Sequence, residues 1–242
     1  MATTCRFSVF RYDAATDEAH RFQQYEVPYV EGLTVLGGLV WIQQHVDGSL
    51  AFRSSCRAGV CGSCATHING RYRLACETQV SDCKLDVTVR PLGHLPIVRD
   101  LVVDMGRFWK HYKHIKPYLI PGAPSPAQGE YLQTQDDRAR LDVIIDCILC
   151  GSCYGACTTT AADPEFLGPA ALAKANRFML DSRDAAGEER LELISGEHGV
   201  WRCHQIFSCQ KVCPKSVDPP GSIADLKRAA IRHRLRRRAH PG

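Results

Sequence analysis

Hydrophobic and polar positions change rhythm along the chain, from alternation near the N-terminus to helical spacing beyond it. Cys5-Arg6-Phe7-Ser8-Val9-Phe10 and Arg21-Phe22-Gln23-Gln24-Tyr25-Glu26-Val27 predict two strands, parted by a polar Asp/Ala/Thr turn region. Thr34 to Val46 follows as a short apolar stretch that predicts a helix. Asn69-Gly70 lies between Ala65-Thr66-His67-Ile68 and Arg71-Tyr72-Arg73-Leu74. It predicts a tight hairpin, because both turn residues tolerate positive φ. Lys84 to Arg90 alternates as a further strand and Pro91 closes it. From Pro96 the pattern turns helical, and Pro117, Pro121, Pro124 and Pro126 mark a rigid connector. Past Asp136 the predicted helices are Arg138 to Ile148, Ala170 to Ser182, Glu188 to Ser195 and Ser222 to Arg237.

These elements predict an α+β chain of two domains with a boundary near Met105. Residues 1–105 form a small β-grasp-like sheet domain and residues 106–242 a helical one. The length of 242 residues, 45% of them hydrophobic, suffices for two modest cores. No run approaches the roughly 18 apolar residues of a membrane span; the longest candidate, Val35 to Ile42, is broken by Gly37 and Gly38. The opening residues carry neither an apolar signal segment nor an Arg-rich transit sequence. The expectation is a bacterial protein on the cytoplasmic side, or an already processed organellar one, that meets a membrane only through partners. A net charge of +4, concentrated toward the carboxyl end, is too small to imply nucleic acid by itself.

Thirteen cysteines change the picture. Disulfides suit small secreted domains, whereas this chain is larger and its cysteine count odd, so metal or cluster ligation is favoured. Cys56-x4-Cys61-x2-Cys64, with Cys76 eleven residues on, matches the plant-type [2Fe–2S] pattern. Gly59 and Gly62 allow backbone amides to turn toward the sulfurs. Structural zinc, the plainer alternative, usually shows paired C-x2–4-C units, which this loop lacks.

Two further groups are Cys147-x2-Cys150-x2-Cys153-x3-Cys157 and Cys203-x5-Cys209-x3-Cys213-Pro214. In two-cluster bacterial ferredoxins the fourth cysteine of each run ligates the other cluster. Crossing the ligands in that way assigns Cys147, Cys150, Cys153 and Cys213 to one [4Fe–4S] cluster and leaves Cys157, Cys203 and Cys209. Ile206 stands where the template has another cysteine. A cuboidal cluster with three thiolates lacks a strong ligand at one corner, so [3Fe–4S] is the natural occupant. A second [4Fe–4S] cluster with a non-cysteine ligand is the alternative. Cys5 and Cys83 fall in strand-like sequence and read as buried free thiols without a cluster role.

The chain has no Gly-rich dinucleotide fingerprint, G-x-S-x-G elbow or P-loop, so the groups read as one-electron carriers that need a donor and an acceptor. The plant-type motif, Cys147-Ile148-Leu149-Cys150-Gly151-Ser152-Cys153, Phe166-Leu167-Gly168-Pro169-Ala170-Ala171-Leu172, Arg177-Phe178-Met179 with Asp181-Ser182-Arg183-Asp184, and Cys213-Pro214-Lys215 resemble the iron–sulfur subunit of the succinate dehydrogenase and fumarate reductase family. The resemblance runs from the first strand to about Lys227. It implies a plant-type ferredoxin domain followed by a bacterial-ferredoxin-like domain. It also implies electron transfer between the FAD of a flavoprotein subunit, where succinate and fumarate interconvert, and a quinone at a membrane-anchor subunit, with haem b a candidate cofactor of the anchor. The [2Fe–2S] domain would face the flavoprotein and the cluster of Cys157, Cys203 and Cys209 the quinone, with the subunit peripheral on the cytoplasmic face of the bacterial inner membrane.

Two departures from the family pattern stand out. Thr158 replaces a proline that often follows the fourth cysteine, and Ala161-Ala162-Asp163-Pro164 lies where many ubiquinone-reducing relatives carry a tryptophan. His204 and Lys227 match or adjoin positions that lie by the quinone in some relatives, and Ile206 sits between the same cysteines; the plainer reading makes His204 structural and Lys227 solvated. Arg107 to Lys116 interleaves cations with aromatics, and Lys227 to Arg238 carries no acid. Such stretches can bind nucleic acid, but beside the clusters they read as a subunit interface and a membrane-surface contact. The competing readings are an iron–sulfur subunit of another flavin-linked oxidoreductase, or a zinc-stabilised nucleic-acid adaptor.

Overall fold

The computed structural model describes residues 3–122 and 129–239; Pro124 and Pro126 of the connector lie outside them. In chain order the elements are β1 (Thr4–Arg11), β2 (Arg21–Pro28), α1 (Val35–His45), β3 (Ala65–Ile68), β4 (Arg71–Leu74), β5 (Asp86–Arg90), β6 (Ile97–Arg99), β7 (Val102–Val103), α2 (Gly106–His114), α3 (Gln135–Ala139), α4 (Ser152–Gly155), α5 (Thr158–Ala162), α6 (Gly168–Met179), α7 (Gly187–Ile194), α8 (Ser208–Lys211) and α9 (Pro219–Ala239). They fall into two compact units. One runs from the N-terminus to Met105 and takes in Ile148–Ala156 and Val212–Pro214; the other holds Gly106–Cys147, Cys157–Lys211 and the chain from Lys215 onward.

The first unit is built on a mixed sheet of order β2-β1-β5-β3-β4. β1 and β5 pair in parallel and the other neighbours antiparallel. A parallel pair needs a long crossover, and α1 with the β3–β4 hairpin lies within it. Alternation sends Phe7, Val9, Val27, Val87 and Val89 into the core, where Val35, Leu39 and Ile42 of α1 are also buried. The Thr34 hydroxyl caps α1 by accepting the Gly37 amide. Arg11, only 4% exposed, binds Asp100 and Asp47 and donates to the Tyr25 and Ser49 hydroxyls. A buried guanidinium persists only when its donors are matched in this way.

Two sequence expectations are corrected here. Helix does not begin at Pro96: β6 and β7 intervene, and α2 starts at Gly106. The turn between those strands is held from a distance, since buried Asp100, at φ +47°, accepts the amides of Tyr12 and Ala51 as well as Arg11. Strand β5 starts at Asp86 because Lys84 and Leu85 both lie at positive φ.

The second unit packs α6, α7 and α9 around Phe166, Leu172, Leu191, Ile194, Ile223 and Leu226. Asp184 and Arg190 form an ion pair with both side chains wholly buried, and Arg190 also donates to the carbonyls of Lys116 and Tyr118. The helix expected over Arg138 to Ile148 is a correction: α3 ends at Ala139, and Val143 at φ +66° precludes a continuous helix. Among the described residues no helix is long and apolar enough to cross a membrane.

Candidate metal centres

The loop from Cys56 to Cys76 leaves β-structure and turns its own amides inward. The N–H groups of Ala58, Val60 and Cys61 donate to Cys56 Sγ at 3.4, 3.3 and 3.2 Å. Gly59 N–H donates to Cys76 Sγ at 3.3 Å, and Cys56 N–H to Cys61 Sγ at 3.5 Å. Amides converging on sulfur stabilise thiolate charge, which is what a cluster's ligands require. The Ser63 hydroxyl and neighbouring amides pull the Cys61 thiol down to about 6, while burial near Cys76 pushes Cys64 up to about 12. These four cysteines therefore lie around one cradle, and the donor set fits a [2Fe–2S] cluster.

Glycine is required twice in this loop. Gly59 lies at φ +68°, and a Cβ there would come within 2.0 Å of Glu77 Oε1. Gly62 lies at φ +72°, and a Cβ there would come within 2.8 Å of Cys150 Cβ and 3.0 Å of the Ile148 carbonyl. The loop backbone thus touches the segment that carries Cys150. That segment is further fixed by the Tyr72 ring of β4, which lies against Gly155 of α4. Cys150, Cys153 and Cys213 all belong to this first unit, and Cys147 to the second.

In the second unit Cys157, Cys203 and Cys209 line one small cavity, together with His204, Ile206 and Phe207. Cys157 ends the loop before α5, Cys203 follows a short helical turn over Val200–Arg202, and Cys209 lies in α8. Cys157 and Cys203 pack against the unit's core. Burial beside the other two thiols pushes Cys209 up to about 12. Three sulfurs facing one cavity fit a cluster held by three thiolates. Gln205 and Phe207 adopt positive φ on either side of Ile206, which is 54% exposed. His204 is exposed beside it. Lys227 of α9 is not simply solvated: its Nζ donates to the Cys203 carbonyl at 2.9 Å. Phe207 was not singled out from sequence, although the apolar pair Ile206-Phe207 between two cysteines was a visible signal.

Asp163 accepts from His198 and Arg202 at 2.9 and 3.0 Å. Cys5 and Cys83 are buried, and Cys5 Sγ donates to the Val27 carbonyl. Among the described residues no three His, Cys, Asp or Glu side chains form a site for a single metal ion.

Two family models match the chain: a 2Fe-2S iron-sulfur cluster binding domain over residues 6–110 and a 4Fe-4S dicluster domain over residues 144–217. The chain is 41% identical over 235 residues to the fumarate reductase iron-sulfur subunit of Mycobacterium tuberculosis, covering 96% of this chain and 95% of the relative. It is 40% identical over 228 residues to the succinate dehydrogenase iron-sulfur subunit of Paracoccus denitrificans, covering 93% and 88%. Among solved structures, a chain of the Mycobacterium smegmatis Sdh1 complex in the apo form superimposes with a TM-score of 0.86 at 29% identity, over 95% of this chain and 96% of that one.

Proposed function

Because this chain belongs to the iron–sulfur subunits of the succinate dehydrogenase and fumarate reductase family, we propose that it relays electrons between the FAD of a partner flavoprotein and a membrane quinone. The observation that carries this reading is the contact of the Gly62 backbone with Cys150, which joins two cysteine loops without an intervening side chain. Cys56, Cys61, Cys64 and Cys76 hold a [2Fe–2S] cluster, Cys147, Cys150, Cys153 and Cys213 a [4Fe–4S] cluster, and Cys157, Cys203 and Cys209 a [3Fe–4S] cluster. When bound, such clusters supply one-electron storage at potentials set by charge, hydrogen bonding and exposure. Succinate oxidation releases two electrons and two protons, and quinone reduction consumes the same, so a one-electron relay joins two two-electron reactions.

The chain's own residues suit those ends. Around Cys56 the surface is open, with Val60 65% exposed, so a flavoprotein can approach the first cradle. At the three-cysteine cavity, His204 and Ile206 border the opening a quinone would use. Lys227 donates to the Cys203 carbonyl, which brings a cation beside one of the three cysteines. The membrane anchor, with haem b as its candidate cofactor, would hold the subunit at the cytoplasmic face of the inner membrane.

The test is isolation of the native complex from membranes followed by addition of succinate. The expected result is a flavoprotein that copurifies and clusters on this chain that become reduced. Copurification with a flavoprotein that neither oxidises succinate nor reduces fumarate would transfer the chain to another oxidoreductase. Colourless, zinc-loaded protein would overturn the cluster assignment itself.

A further inference from the structure

The long helix α9 has two unlike faces. Ile223, Leu226 and Ala230 are buried in the second unit's core. Ile231 and Leu235 are instead 48% and 60% exposed. Four residues apart, they stack on one face a single turn from each other. Arg228, Arg232, Arg234 and Arg236 are exposed on the same helix. Asp225 is the helix's only acid, and it is already paired with Arg228.

An ordinary solvated face mixes both charge signs and does not align isoleucine over leucine. A face built only for polyanions would carry the cations without the apolar pair. Apolar side chains flanked by guanidinium groups suit a helix lying flat in a bilayer interface, with the hydrocarbon below the headgroups and the arginines among lipid phosphates. The helix is too polar to span, so it would lie on the surface.

We propose that the outer face of α9, centred on Ile231 and Leu235 and flanked by Arg232 and Arg236, binds directly to an anionic phospholipid surface. This contact is separate from the electron relay and needs no membrane subunit. A chain that relays electrons normally yet fails the test below overturns this inference alone.

The test mixes the full chain, with its clusters, with vesicles of phosphatidylcholine alone or with an equal part of phosphatidylglycerol. Binding is expected only to the anionic vesicles and should weaken with salt. Each arginine near such a surface contributes about fivefold, so Arg232→Gln with Arg236→Gln should weaken binding about 30-fold. Ile231→Ser with Leu235→Ser should weaken it on the order of tenfold through lost apolar contact. Unchanged thermal unfolding would show that these surface variants remain folded. Absence of binding, equal binding to both vesicle types, or indifference to the apolar pair would overturn the proposal. So would competition by duplex DNA that displaces the vesicles, which would make the face a nucleic-acid site. In the assembled complex, replacing unbrominated with brominated phosphatidylglycerol should quench the Leu235→Trp variant more than the parent complex; equal quenching of the two would contradict lipid contact there.

Discussion

The loop from Cys56 to Cys76 and the cavity around Cys157, Cys203 and Cys209 gather their thiols by different means. In the loop, four cysteines lie within one short stretch, and the same stretch supplies the amides that reach their sulfurs. Around the cavity, the three cysteines are spread over more of the chain and are brought together by packing against a helical core. The loop therefore depends on local backbone shape. The cavity depends on the stability of the unit that surrounds it, so damage far from the thiols should reach the cavity and spare the loop.

The sharpest way to break this contrast is Asp184→Ala. It leaves Arg190 buried without its carboxylate, which costs about 3–5 kcal/mol. Chemical denaturation should show the second unit losing that much, with the cavity's cluster spectrum lost and the [2Fe–2S] spectrum retained. A stability change below about 1 kcal/mol would mean that the buried pair does not support the cavity.

Cys76→Ser is the converse experiment. It should abolish or shift only the [2Fe–2S] signal, read by EPR of the reduced protein. Loss of the other two signals from a folded variant would contradict independent cradles.

A narrower change, Ile206→Cys, adds a thiol at the cavity's edge without disturbing the core. The expected outcome is partial conversion toward a [4Fe–4S] cluster, seen as a weaker oxidised-state EPR signal. An unchanged signal would count against the three-iron assignment.

The smallest effect concerns the sheet unit alone. Burial and the hydrogen bond to Asp47 push the Tyr25 phenol up to about 12. Its unfolded value is near 10. A raised value means the folded state holds the proton more tightly, so this stabilisation is complete below pH about 10 and is lost as pH rises through about 12. Tyr25→Phe should flatten the unfolding profile in that alkaline range, as followed by circular dichroism.

Legibility in the sequence followed the same division between local and distant causes. Strands β1 and β2, the Asn69-Gly70 hairpin and the body of α6 were readable because alternation, turn chemistry and helical period are local signals. Strands β6 and β7 were misread as helix because their turn is fixed by Asp100 binding partners some ninety residues away in sequence. The end of α3 was missed because nothing in a valine announces the positive φ of Val143. At the sites, cysteine spacing made the groups visible, and Ile206 marked the departure in the last one. The approach of Gly62 to Cys150, the hold of Lys227 on Cys203 and the exposed apolar pair on α9 come from tertiary packing. The first two join residues distant in sequence, and the third depends on which face of the helix the core covers.

The most direct single measurement is EPR of the native complex, prepared anaerobically and recorded oxidised and then after stepwise reduction. A three-iron signal is expected in the oxidised state, replaced on reduction by separate [2Fe–2S] and [4Fe–4S] signals. An EPR-silent oxidised sample with no cluster signals on reduction would contradict it.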